Sequence, residues 1–367
     1  MAETRFERLR ELMDQNGLNA IALNPGPTLN YLTGLNFHLM ERPTILVYVI
    51  GQPPLLILPE LEQAKLSRSR IPLQAAPYSD DPATWPEAFR QALKPLNLGN
   101  LNIGLEPVRM RYLEMDYLQQ AVPAARFTSA SGVVGELRLH KDSVEINEMC
   151  KAVAIAQRSL LDILPMIKTG VTEKMLAAEL TIQLLRNGSD SELPFQPIIA
   201  SGPNSANPHA APTDRALQTG DLVVIDWGAR SNGYCSDLTR TFAVGDIDPE
   251  LRTIYETVKQ ANHAGRAAGK PAANAGEVDQ AARTVIERAG YGEFFTHRTG
   301  HGLGLEDHEP PYIFNGNPQQ LSTGMTYTVE PGIYLPDRGG VRIEDDMLVT
   351  ETGSVSLSDL PRELMTL

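Results

Sequence analysis

Short apolar runs alternate with helical periodicity through the first third of the chain. Ala20 to Leu23, Thr44 to Ile50, Leu55 to Leu58 and Leu101 to Gly104 have the length and apolar density of buried strands. Glu3 to Asn16, Glu60 to Arg70, Thr84 to Leu93 and Arg109 to Gln120 repeat their apolar positions at helical spacing. This alternation predicts an α/β domain over residues 1–130. The text then turns small and Gly/Ser-rich (TSASGVVGE), which predicts a linker over residues 131–142. Asp142-Ser143-Val144-Glu145 has the residues of a capping box and opens a long helical pattern that runs to Ile167.

Residues 143–367 repeat an order of elements. Two helical patterns (Ser143 to Ile167, Thr172 to Arg186) precede a hairpin pattern, Leu222 to Val244. Two more, starting with Asp248-Pro249 as cap and first helical residue and continuing with Glu277 to Ala289, precede a second hairpin, Thr326 to Thr350. The expected fold is therefore an α/β N-terminal domain followed by a pseudo-twofold α+β domain with a shared sheet.

The hairpins carry acids in apolar strand contexts. In LVVIDWGARSNGYCSDLTRTF, a turn centred between Ser231 and Asn232 would set Asp226 opposite Asp237, with Cβ atoms roughly 5 Å apart. In TYTVEPGIYLPDRGGVRIEDD, Glu330 and Glu344 are symmetric about Asp337, although Gly339-Gly340 could add a bulge. Carboxylates at such distances repel unless a proton or a cation lies between them. Between the hairpins runs THRTGHGLGLEDHEP, whose glycines around His301 permit close backbone approach. Its Gly spacing misses the phosphate-loop pattern, and Pro310-Pro311 prevents the helix such a loop must feed.

Composition narrows the chemistry. The 367 residues include 32 Lys+Arg and 45 Asp+Glu, a net charge of −13, which gives no basic face for nucleic acid. The apolar runs are far shorter than the roughly 20 residues of a membrane span, and MAETRFERLRELM lacks the apolar core of a secretory signal, so a cytoplasmic address is expected. Cys150 and Cys235 are too few for a thiolate site and read as buried small apolar residues. One imidazole, His301, with four carboxylates is a donor set for two hard or borderline dications, whose +4 matches the −4 of Asp226, Asp237, Glu330 and Glu344. Such a pair predicts metal-assisted hydrolysis.

The order Asp226, Asp237, His301, Glu330, Glu344, with Asn207-Pro208-His209 upstream and the strings GHGLGLEDHEPP, VEPGIY and GVRIED, resembles the Xaa-Pro peptidases of the M24 creatinase/aminopeptidase "pita-bread" family. RFERLRELMDQNGLNAIAL and NYLTG resemble the creatinase-type domain that precedes the catalytic one in prolidases and aminopeptidases P. The resemblance implies that Asp226 chelates one metal, His301 and Glu330 the other, and Asp237 and Glu344 bridge both. It makes Glu330 the acid/base and gives His209 and His308 to substrate and oxyanion. His297 falls beside the proline pocket, and Arg342 is the arginine linking the metal site to the N-terminal domain. It also implies two divalent ions per subunit (Mn²⁺ favoured, Co²⁺ or Zn²⁺ as alternatives), a small peptide with proline at the second position, and a homodimer in which His38 could reach the partner's site. Dipeptidases of this kind often carry a basic residue shortly after the position of His308, where this chain has Pro310-Pro311-Tyr312. That departure favours an aminopeptidase P over a prolidase unless Arg42 or Arg338 supplies the charge; an amidase or lyase on the same fold is a further alternative. His263, on a helical pattern, is expected to have no chemical role.

Overall fold

The computed structural model describes residues 2–367, which divide into two compact units, Met1–Arg138 and Leu139–Leu367. In the first unit, six strands form one mixed sheet in the order Gln74–Tyr78, Leu55–Pro59, Ile45–Val49, Ala20–Leu23, Asn102–Leu105, Arg126–Ser129. The four inner strands are those expected. Ala20, Ala22, Val47 and Ile57 share a core with Phe89 and Leu118 from the helices Trp85–Leu93 and Tyr112–Ala121, while the alternate residues Ile21, Leu46 and Leu56 are equally buried. Burial on both faces is why these strands read as continuous apolar runs. The two outer strands escaped notice because, as edges, they are mostly exposed, and Pro77 is tolerated there.

The stretch expected to be a linker begins instead with a helix, Ser131–Leu139. Its Val133, Val134 and Leu137 are buried, so an apolar stripe at helical spacing outweighs the local Gly/Ser content.

In the second unit the capping box forms as expected: Asp142 accepts from the amides of Val144 and Glu145, and Glu145 accepts from the amide of Asp142. The helix runs Ser143–Ile163 and gives way to a 3₁₀ turn at Leu164–Met166, because Pro165 cannot continue the ladder. The helices Glu173–Arg186, Pro249–Ala268 and Ala275–Arg288 complete the two pairs. Leu238–Ala243, Leu222–Trp227 and Ile198–Ser201 form a three-stranded sheet. Glu309–Ile313, Gly300–Gly302, Thr326–Val329, Asp345–Val349 and Ser354–Ser356 form a five-stranded one. A single bridge, Thr239 to Glu344, joins the hairpins of the two halves. Trp227 is fully buried and donates to the Ala156 carbonyl at 2.9 Å, tying the first hairpin to the first long helix. Cys235 is buried as expected but Cys150 is exposed on its helix, opposite the buried stripe of Met149, Ala152 and Val153.

Candidate metal centre

The two hairpins differ in how closely their register follows the sequence symmetry. In the second, Gly332 pairs with Arg342 and Val329 with Asp345, so one index sum holds on both sides of the Glu330 and Glu344 positions and no bulge intervenes. In the first, the turn is Asn232-Gly233, both with left-handed backbone (φ 48° and 87°), a two-residue loop typical of twisted hairpins. Its centre lies one position later than expected, so Asp226 faces Thr239 and not Asp237. The index sum changes by two, which leaves both aspartates on the same face.

Thr239 is thus the hub of the site. It pairs with Asp226 on one side, bridges to Glu344 on the other, and donates its hydroxyl to Glu344 Oε2 at 2.7 Å. Asn262, fully buried on the helix Pro249–Ala268, donates to the carbonyls of Val329 and Ile343, the residues preceding Glu330 and Glu344. His301 enters on the short strand Gly300–Gly302, which is wedged between neighbours. A Cβ on Gly300 would lie 2.0 Å from the Thr328 carbonyl oxygen, and one on Gly302 would lie 2.2 Å from that of Pro310. The glycines therefore serve the close approach that the sequence suggested.

The acids and the imidazole line one cavity of about 420 Å³, together with Phe195, Ile198, His209, His297, His308 and Arg342. Asp237, His301 and Glu344 each present a ligand atom within 4.8 Å of the others, and His301 Nε2 lies 3.3 Å from Glu330 Oε1. Asp226 joins them through Arg342, whose Nη2 donates to Asp226 Oδ2 at 2.6 Å. His308 stacks on His301 with ring centroids 3.8 Å apart, and its Nδ1 lies 3.3 Å from Asp307 Oδ2. His297 Nε2 meets the Tyr334 hydroxyl at 2.8 Å. His209 is exposed at the cavity on a loop whose ends are gathered by the buried Glu173, which accepts from the amides of Ser201 and Thr213. His263 is exposed on its helix.

Charge is the unsolved problem of this cluster as protein alone. Burial first, and then neighbouring acids, push Asp237 and Glu344 well above the usual carboxylate range, and burial raises Asp226 despite Arg342. Burial acts in the same direction on Glu330, but the hydrogen bond and charge of His301 outweigh it and hold this carboxyl at about 2. Among the described residues, Asp226 Oδ1 is buried with no hydrogen-bond partner. Buried like charges and an orphaned oxygen are what a site built for cations shows in their absence, and the oxygen-rich donor set suits hard or borderline dications.

Arg342 was expected to link the metal site to the N-terminal domain. Its hydrogen bonds within the second unit go to Asp226, Thr239, Tyr334 and the Pro208 carbonyl. Within the second unit, Arg338 pairs with Glu250 and Asp248 and does not line the cavity; in the first unit, Arg42 pairs with Asp80 and Glu41. Thr239, Asn262 and Tyr334 were missed by motif reading. Asn262 had a visible signal, a polar residue within the buried stripe of Ile254, Val258, Ala261 and Gly265; Tyr334 shares the strand-face spacing of Glu330 and Gly332.

Residues 147–351 match the model of metallopeptidase family M24, and residues 5–140 that of the creatinase/prolidase N-terminal domain. The chain belongs to metallopeptidase family M24. It is 35% identical to the Xaa-Pro dipeptidase of Pyrococcus horikoshii, over 98% of each chain. Its fold matches a crystal structure of prolidase from Thermococcus sibiricus with a TM-score of 0.95 at 33% identity, covering 100% of this chain and 99% of that one. An X-Pro aminopeptidase structure from Thermotoga maritima matches at 0.86 and 29%, covering 98% and 99%. The catalytic unit has the pita-bread fold, and the chain is a metallopeptidase acting on peptides. Among the described residues, no helix is long and apolar enough to cross a membrane.

Proposed function

We propose that this M24 peptidase is a dinuclear Xaa-Pro dipeptidase, a prolidase. The observation that carries the reading is the cluster of four acids and His301 opening into one cavity, in a chain whose full-length relatives include named Xaa-Pro dipeptidases. Those relatives fit a dipeptidase better than the aminopeptidase P that Pro310-Pro311-Tyr312 first favoured. Asp226 would hold one dication, His301 and Glu330 the other, and Asp237 and Glu344 both. Mn²⁺ is the favoured ion, with Co²⁺ and Zn²⁺ as alternatives. When bound, the dications supply the charge that lowers the pKa of a water and polarises a carbonyl.

The chain's own residues do the rest. Glu330 takes a proton from the attacking water and passes it to the proline nitrogen, which leaves as a secondary amine while the Xaa carbonyl carbon gains the hydroxyl. His308, held flat against His301 and oriented by Asp307, donates to the oxyanion, and His209 contacts the substrate. His297, fixed by Tyr334, forms a wall with Phe195 and Ile198 for the proline ring. The bond cleaved is a tertiary amide without an N–H, so recognition rests on shape and on the free termini and not on a backbone hydrogen bond. The working unit is proposed to be a cytoplasmic homodimer; a monomeric mass at full activity would count against the dimer.

The test is a matched series of Xaa-Pro and Xaa-Pro-Xaa peptides with each dication. Cleavage of the dipeptides is expected; cleavage of neither class sinks the proposal, and cleavage of only the longer peptides restores the aminopeptidase reading that Pro310-Pro311-Tyr312 suggested.

A further inference from the structure

His209 reaches the cavity from the segment between the strands Ile198–Ser201 and Leu222–Trp227. Among the described residues its imidazole forms no hydrogen bond, while its amide donates to Asn207 Oδ1 at 3.1 Å. His297 and Arg342, on the same cavity, are held through their side chains. His209 is not, so its ring lies where the loop backbone puts it.

That loop is gripped from behind by one fully buried carboxylate, Glu173, the first residue of the helix Glu173–Arg186. Its two oxygens divide the work. Oε1 accepts from the amide and hydroxyl of Ser201, both at 2.7 Å, and Oε2 accepts from the amide of Thr213 at 2.9 Å and its hydroxyl at 2.6 Å. Asn204 Nδ2, inside the loop, donates to both oxygens at 3.2 and 3.1 Å. Residues 201 and 213 are thereby joined through one side chain, in the manner of a closed surface loop. In front, the loop lies on the strand Gly339–Arg342. The amide of Gly340 donates to Ser205 Oγ at 2.8 Å, and Arg342 Nη1 donates to the Pro208 carbonyl at 3.2 Å. A Cβ on Gly340 would lie 2.1 Å from the Ser205 carbonyl oxygen, so the loop has no slack on that side.

All five groups facing Glu173 are donors, and an ionised carboxylate is acceptor-only. Its place in the first helical turn adds a favourable dipole for the buried charge. A glutamine would keep the shape but set an NH₂ group against the amide and hydroxyl at one end of the loop. We propose that Glu173 is a positioning residue: it clasps residues 201–213 and so holds His209 where the peptide binds. The proposal rests on the assignment of His209 to substrate and deepens it, by naming what fixes a ring that has no hydrogen bond of its own.

The metal-loaded enzyme is compared with Glu173→Gln, His209→Ala and the double variant on Ala-Pro and Ala-Pro-Ala, with metal content and thermal melts alongside. In Glu173→Gln, KM should rise about 5- to 30-fold, up to the size of one lost hydrogen bond to substrate, with kcat within about threefold and metal content unchanged. In the His209→Ala background the same substitution should change KM by no more than about twofold, because the group it positions is gone. An undiminished effect in that background, or a lower melting temperature with KM unchanged, overturns the role. So does a parallel loss of metal and kcat. If Glu173→Gln does not fold, Thr213→Val, which removes one of the five donors, is judged by the same criteria. A wild type that cleaves only Ala-Pro-Ala refutes the dipeptidase reading, and the cycle is then read on that peptide. If it cleaves neither, the peptidase reading fails and amide hydrogen exchange decides the clasp. Faster exchange confined to residues 202–212 in Glu173→Gln supports it, and any other pattern overturns it.

Discussion

Replacing Asn262 tests whether the two glutamates are aligned from the helix behind them. Its Nδ2 donates to the carbonyls of Val329 at 3.0 Å and Ile343 at 3.2 Å, and lies 3.1 Å from Asp345 Oδ2; its Oδ1 accepts from Arg266. Asn262→Ala removes the donors to the two buried carbonyls, while Asp345 Oδ2 keeps its bond from Arg362 Nε. At about 1 kcal/mol for each net hydrogen bond, plus part of the desolvation penalty of the orphaned groups, the loss is about 3 kcal/mol. Asn262→Asp keeps the shape but presents oxygens to oxygens, so it should be at least as harmful as alanine. The assay is urea unfolding followed by tryptophan fluorescence. The chain has two tryptophans, Trp85 in the first unit and Trp227 in the second, so a Trp85→Phe background isolates the catalytic unit. Metal content of the folded variants, by elemental analysis, should fall with the alignment of Glu330 and Glu344. An Asn262→Asp protein with wild-type stability and metal content would refute the reasoning, because shape alone would then suffice.

Asp237→Asn and Glu344→Gln should each reduce bound dication from two per chain to one or none while the protein remains folded; elemental analysis showing two ions in either variant would remove that residue from the bridging role. Gly302→Ala drives a methyl to 2.2 Å from the Pro310 carbonyl oxygen and 2.6 Å from that of Glu309, both rigid backbone, and should cost about 1–3 kcal/mol in the same urea assay; an unshifted midpoint would contradict the wedge around His301. Glu148 is held at about 2 by hydrogen bonds from Lys151, Asn232 and Ser231, below the usual carboxyl value. Because its folded pKa is depressed, its contribution is present above about pH 4.5 and lost as pH falls toward 2, so the stability gap between wild type and Glu148→Gln, about 1–3 kcal/mol at pH 7, should shrink below pH 4.5. A gap independent of pH would show that the carboxylate charge is not what holds the Asn232 turn.

What could be read from the chain alone follows from what each feature needs. Asp226, Asp237, Glu330 and Glu344 were legible because an acid inside an apolar strand contradicts its surroundings, and the index symmetry of a hairpin is local. The second hairpin obeyed that symmetry across its whole length. The first moved by one position because the left-handed pair is Asn232-Gly233, so the opposing residue is Thr239. No local rule pairs one hairpin with another: the bridge from Thr239 to Glu344 crosses 105 residues of sequence and exists only once both halves have packed. The sequence after His308 suggested a missing base, because motif reading compares residues at fixed offsets along one strand. Roles assigned by spacing are therefore secure where a hairpin or helix enforces the geometry and insecure where several segments converge on a small ligand.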